Sequence, residues 1–276
     1  MCKVLKVSRS GYYKWVSHDQ SDMASTKEKI QALILYWFDK MDAVYGSHRM
    51  AALLNREGID VSQSTVARYM RALDLKAKLG RKSVKTTNSN HPHPKYPNKL
   101  AQGFDVTQMN TAWTADITYI WTDQGWMYLA TIMDLFSRKI IGWAMHDEMD
   151  AGLCIHALKQ AIRTRRPATD GTLLHHSDQG QQYASRDYTD ILKDRQIEIS
   201  MSRKGDCYDN ACTESFHATI KKEFIYRRYF KTKQDARAQV EDYIFGFYNV
   251  TRLHSTLGYV SPIEFESSHS GPVLTA

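Results

Sequence analysis

Long hydrophobic runs are missing from this chain. The most apolar stretch, Ala32 to Phe38, is far too short to cross a bilayer, and the opening MCKVLKVSRSGYYKW has no apolar signal core. Cysteine is scarce. Cys2, Cys154, Cys207 and Cys212 show neither CxxC spacing nor a disulfide framework. No His-x3-5-His accompanies Cys207 and Cys212, which argues against a structural zinc site. No P-loop is present to cradle a nucleotide, and there is no internal repeat, low-complexity tract or long heptad segment. A soluble cytoplasmic protein is the expectation these absences leave.

What is present is a chain of 276 residues, 42% hydrophobic and 11% aromatic, able to bury a core and long enough for two domains. Its net charge of +7 favours polyanion partners only weakly until the charges are located. The clearest break in composition runs from Lys76 to Lys99. Seven basic residues fall there (Lys76, Lys78, Arg81, Lys82, Lys85, Lys95, Lys99) with no acid, and three of the six prolines cluster in HPHPKYP. This reads as an extended linker, either a solvated tether or one that tracks a phosphate backbone through residues such as Arg81 and Lys82.

Before the linker the period is helical. Thr26 is placed to cap KEKIQALILYWFDKM, where Ile30, Leu33, Ile34, Trp37 and Phe38 recur on one face. A second helix fits Ser47 to Arg56, stopped by Gly58, and Ser62 caps a third, QSTVARYMRAL. Val66, Tyr69, Met70 and Leu73 face inward on that last helix; Gln63, Thr65, Arg68 and Arg71 face outward. A short turn before a helix bearing exposed basic and amide residues suits a helix-turn-helix reader of DNA; a plain three-helix bundle with a basic face is the other reading. VSRSGYYKW suggests one more capped helix near the start.

After the linker the period changes to that of strands. TAWTADITYIW, WMYLATIMD and RKIIGWAMHD read as an antiparallel meander, with Gly125 and Ser137 at the tight connections. A helix ending before Pro167 follows. Next come a short strand, Gly171 to Leu174, leading to Asp178, and a polar turn, Gln-Gly-Gln-Gln. A helix from Ser185 to Arg195, a strand from Ile197 to Met201, and helices 209–225 and 232–249 complete the pattern. Three antiparallel strands followed by alternating helix and strand make a mixed α/β sheet.

Three acids sit oddly in that plan. Asp116 is in mid-strand, where aspartate is disfavoured; Asp178 ends a strand; Glu214 is on a helix whose apolar stripe is Phe216, Ile220 and Phe224. Glu214 lies about 200° around the axis from Phe216, off the core-facing stripe. If the two strands are neighbours the acids converge, and three uncompensated carboxylates repel unless divalent cations join them. On spacing alone, three unrelated surface acids are the favoured reading.

WTADITYI, HSDQGQQY and DNACTESFHATIKKE, with thirty-five residues between Asp178 and Glu214, resemble the three catalytic blocks of DDE transposases in the retroviral-integrase superfamily. MDLFSRKIIGW, the VSRSGYYKW opening and YNVTRLHSTLGYVSP resemble the insertion-sequence transposases of the OrfB type, so the likeness spans nearly the whole chain. It implies a ribonuclease H-like, mixed five-stranded sheet with flanking helices behind a small all-α helix-turn-helix domain. The expected layout is a helical DNA-binding region at 1–75, a basic linker at 76–105, an integrase-like core with a helical extension at 106–267, and a tail at 268–276.

The resemblance further implies that Asp116, Asp178 and Glu214 are catalytic and hold two Mg²⁺ or Mn²⁺ ions for phosphoryl transfer: cutting at the element's ends, then attack by the freed 3′ hydroxyl on DNA. Asp116 is expected to bridge both ions. Lys221 resembles the basic residue that grips DNA beside the site; Asp209 and Asn210 are expected to cap the catalytic helix, Asp134 to be structural, and His175 and His176 to be packed or hydrogen-bonded. Arg252 and His254 have no derivable role. A homo-oligomer on DNA is expected, near the nucleoid. The implied family commonly adds an upstream reading frame by frameshifting, so the chain is expected to be the downstream product, completed by fusion with that partner. A metal nuclease that cuts without joining, or a DNA-binding regulator with an inactive core, are the competing functions.

Overall fold

The computed structural model describes Cys2 and residues 7–16, 22–78, 94–203 and 207–269. The chain divides into two units, residues 1–78 and 79–276. The basic residues Arg81, Lys82 and Lys85, and the tail from residue 270 onward, lie outside the described residues.

The first unit contains helices α1 (Arg9–Val16), α2 (Asp22–Lys40), α3 (Ser47–Arg56) and α4 (Gln63–Ala72). Ser8 Oγ accepts the Gly11 N–H at the start of α1. Thr26 does not cap α2, because the helix already begins at Asp22 and continues through the Met-Ala pair that follows. Gly58 stops α3 with φ +82°, and Asn55 Oδ1 accepts the Val61 N–H, which shapes the turn into α4. Ser62 then accepts the Thr65 N–H as the cap of α4. Ile34, Tyr45, Met50, Leu54, Val66 and Met70 form the buried centre of this unit.

The second unit is built on one five-stranded sheet: β1 (Ala112–Thr122), β2 (Gly125–Asp134), β3 (Ile140–His146), β4 (Leu174–Ser177) and β5 (Glu198–Met201), in the order β3-β2-β1-β4-β5. β1, β2 and β3 are antiparallel neighbours, and β4 and β5 add in parallel on the other side of β1. Gly125 makes the β1–β2 hairpin with φ +100°. One face of the sheet is covered by α5 (Ala151–Arg165) and α7 (Arg186–Asp194), around Trp113, Ala115, Ile132, Leu158 and Leu192. Gly142 lets α5 lie directly on β3, since any Cβ there would collide with the Ala157 carbonyl and Ala161. The opposite face is covered by α8 (Ala211–Glu223), α9 (Lys233–Asp242) and the π-helical turn Tyr243–Tyr248, around Ile120, Met133, Phe216, Ile220 and Val240.

Four details depart from the sequence reading. The strand leading to Asp178 begins at Leu174 rather than Gly171, while its histidines are hydrogen-bonded as expected: His175 to Tyr188 Oη at 2.9 Å, and His176 to Ser200 Oγ at 2.8 Å and Ser202 Oγ at 3.0 Å. The polar Gln181–Ala184 stretch is not a loose turn but one turn of helix, α6. The last long helix changes pitch at Tyr243, because a wider turn brings Tyr243, Ile244 and Tyr248 to the core together. Residues 94–105, taken for linker, are tied to the sheet: Ser200 Oγ accepts the Lys99 and Leu100 N–H groups, and Leu100 is buried with Phe104 and Val106 against it. Finally α10 (Pro262–His269) is anchored by Glu266, which binds Arg165, Lys139 and Ser137.

Candidate active site

Asp116 stands in the middle of β1, opposite Thr131 of β2. Its Oδ1 accepts the Ile117 N–H at 2.8 Å, and its Oδ2 lies 3.1 Å from His217 Nδ1. On the other side, β4 runs parallel to β1 with Thr114 opposite His176. Carrying that register two residues onward sets Asp178 beside Asp116. The Gly180 N–H bonds Asp178 Oδ1 at 2.9 Å and fixes the carboxyl at the strand end.

The first turn of α8 is fastened to the same strand. Asn210 Nδ2 donates to the Ala115 carbonyl at 3.2 Å, and the Thr213 and Thr114 hydroxyls bond each other. Phe216 and Ile220 are buried beneath, so the adjacent Glu214 stands exposed above them. Asp178 registers both of the other acids. Burial, then the charge of Asp116, and then that of Glu214 push its pKa up, to about 7, against the Gly180 hydrogen bond that lowers it. Among the described residues no three acidic, histidine or cysteine side chains are close enough to form a ready-made metal cage. Asp178 thus feels the charge of both other acids without the three closing into such a cage.

Lys221 is not the solvated helical lysine it could have been. It is buried, with Nζ 4.0 Å from the centre of the Tyr119 ring. Burial lowers its pKa and the Asp116 charge opposes that shift. Asp209 is not the cap of α8: it lies in a 3-10 turn, Cys207–Asn210, and accepts from the backbone and guanidinium of Arg203 at 2.9 to 3.1 Å, which holds its pKa down. Asn210 occupies the cap position but sends its side chain to β1. Asp134 is fully buried and accepts the Asn110 and Phe136 N–H groups. Arg252 grips Glu223, the last residue of α8, with two bonds of 2.7 Å, and His254 stacks edge-on to Tyr248.

In the first unit Arg68 and Arg71 are exposed on α4. Gln63 and Thr65 are only half-exposed and engaged in the turn: Gln63 Nε2 donates to Ser47 Oγ at 2.7 Å, and Thr65 Oγ1 accepts from Ser62. Sequence reasoning missed His217. Its signal was the three-residue step from Glu214, which puts a second polar side chain over the strand carrying Asp116.

Comparison with known proteins identifies the family. Two family models described as integrase core domain match residues 106–207 and 195–262, and an HTH-like domain model matches residues 25–83. Over 269 residues the chain is 42% identical to a 31 kDa protein of insertion element IS600 from Shigella sonnei, covering 98% of each. Over 272 residues it is 39% identical to the transposase InsF of insertion sequence IS3A from Escherichia coli K12, covering 98% of this chain and 93% of the transposase. The fold is shared with a solved chain of the simian T-cell lymphotropic virus intasome in complex with PP2A regulatory subunit B56 gamma. That likeness has a TM-score of 0.50 at 15% identity, over 81% of this chain and 75% of the other. The chain therefore belongs to the IS3-type insertion-sequence transposases, polynucleotidyl transferases built on an integrase catalytic core.

Proposed function

We propose that Asp116, Asp178 and Glu214 are the catalytic carboxylates with which this transposase cuts DNA at the ends of its element and joins the freed 3′ hydroxyl to a second DNA. The observation that supports the reading is the raised Asp178: burial is the largest cause, and the charges of Asp116 on the neighbouring strand and of Glu214 on α8 add to it. Structural ion pairs lower carboxylate pKa values; a cluster of like charges raises them, and such clusters mark functional sites.

The donor set suits Mg²⁺ or Mn²⁺, since it is anionic, made of oxygens only, and in need of a positive partner. Asp116, Asp178 and Glu214 would hold two such ions, with substrate phosphate completing the shell. When bound, the ions polarise the phosphodiester and lower the pKa of the attacking water or hydroxyl. The protein's own groups do the positioning. The Ile117 and Gly180 N–H groups orient Asp116 and Asp178, the two acids held on strands. Glu214 is the exposed member, on the first turn of its helix. Lys221, in the same cluster, offsets the charge of a phosphate drawn up to Asp116. Direct in-line displacement needs no covalent protein intermediate.

Arg68 and Arg71 on α4 are the DNA contacts of the helix-turn-helix, with Gln63 and Thr65 shaping the turn and Arg81 and Lys82 adding phosphate contacts from the linker. The partners are the element's terminal inverted repeats and target DNA, held by a homo-oligomer at the nucleoid, with the upstream-frame protein as a fusion. No described helix is long and apolar enough to cross a membrane.

The test is linear DNA carrying the element's ends, incubated with a supercoiled target in Mg²⁺. Joined products support the reading. Cut products alone would mean a nuclease, and bound DNA alone a regulator. Joining by a Glu214→Gln variant at the parent's rate would remove that residue from the set.

A further inference from the structure

His217 lies on α8 one turn after Glu214 and is buried over the sheet. Its Nδ1 is 3.1 Å from Asp116 Oδ2, and its Nε2 is 2.9 Å from Thr131 Oγ1. Asp116 and Thr131 are themselves partners across β1 and β2, so one imidazole bridges a cross-strand pair. An ionised carboxylate only accepts, so Nδ1 donates in this contact whatever the charge of the ring. The Ile117 N–H occupies the other carboxylate oxygen. With one donor on each oxygen the carboxylate cannot turn about its Cβ–Cγ bond, yet each oxygen keeps a lone pair for another partner. Thr131 is fully buried in the sheet and gives the ring a fixed anchor.

We propose that His217 is a positioning residue, holding the Asp116 carboxylate in the orientation that accepts a divalent cation, with Thr131 as its anchor. The inference rests on the reading of Asp116 as a metal-holding acid. Outer hydrogen-bond partners of this kind change metal affinity or activity by about 10–100-fold when removed. A role limited to packing, through the neighbouring Phe216 ring at 5.6 Å, would be kept by phenylalanine.

The experiment compares His217→Phe, His217→Asn, Thr131→Val and Asp116→Ala in the full chain. Mn²⁺ binding to the DNA-free protein is read by electron paramagnetic resonance, and strand joining is followed against Mn²⁺ concentration. His217→Phe is expected to raise the half-saturating Mn²⁺ concentration at least about tenfold in both readouts. His217→Asn, whose amide can take the place of Nδ1, recovers most of that loss, and Thr131→Val falls between. If Asp116→Ala joins DNA, the reading of the acids fails. If Asp116→Ala is inactive while His217→Phe binds Mn²⁺ like the parent, only the positioning role is overturned, whether or not joining is slowed. Should His217→Phe not fold, Thr131→Val decides: unchanged Mn²⁺ binding overturns the proposal.

Discussion

The two ends of α8 treat a carboxylate in opposite ways. At the C-terminal end Glu223 meets the buried Arg252 guanidinium in a two-pronged bond, and although burial opposes the charge, that partner holds the Arg252 pKa up. At the N-terminal end Glu214 has like-charged company instead: burial first, and then the charges of Asp116 and Glu214, push Asp178 up. One end spends its charge on holding the helix to the segment after the π-helical turn. The other leaves like charges near one another, an arrangement that costs stability unless a cation offsets it.

The largest expected effect separates the ends by activity. Glu214→Gln should lower joining on the order of a thousandfold or more while the unfolding midpoint in urea stays near the parent's. Equal losses of joining and stability would mean that the N-terminal end is structural too. Arg252→Ala should do the reverse. It strands the half-buried Glu223 beside an emptied, buried position, and a loss of about 3–5 kcal/mol in urea unfolding is expected. A loss below about 1 kcal/mol would place the pair with weak surface bridges.

Acid titration sharpens the contrast. The Asp178 pKa is raised from 3.8 to about 7, so within that window the folded chain holds a proton that the unfolded chain has released. Stability therefore falls as pH rises through it. In metal-free buffer Asp178→Asn should unfold at a higher temperature than the parent at about pH 8, with the gap closing towards about pH 4. A gap that widens in acid would contradict the sign. The smallest effect belongs to the first unit. Arg68→Ala or Arg71→Ala should each flatten the logarithmic salt dependence of end binding by about one unit, with joining on bound DNA intact.

Much of this was legible in the sequence. α3, α4, β1 and β2 lie within a residue or two of the stretches that hydrophobic period, Ser62 and Gly58 marked, because local chemistry decides such elements. β4 starts at Leu174 rather than Gly171, and its two histidines are hydrogen-bonded as expected, but their partners, Tyr188, Ser200 and Ser202, are brought in by other elements and could not be named from the local sequence. The same holds for Asp209, whose cap-like position yields to Arg203. Residues 94–105 look like tether because their prolines and lysines outweigh Tyr96, Leu100 and Phe104, which acquire meaning only against β5 and the core. His217 was hidden for a different reason. Its two contacts join residues 86 and 101 positions away, so the three-residue step from Glu214 could single it out but not name its partners.

The brevity of β4 has a consequence of its own. β2 accompanies β1 as far as Thr122, whereas the pairing with β4 ends at Thr114. Amide exchange along β1 should therefore change character near Asp116: slow at every position before it, then alternating between slow and fast, like the teeth of a comb. Such a pattern in deuterium uptake would mark Asp116 as the place where the sheet thins from full width to a ledge.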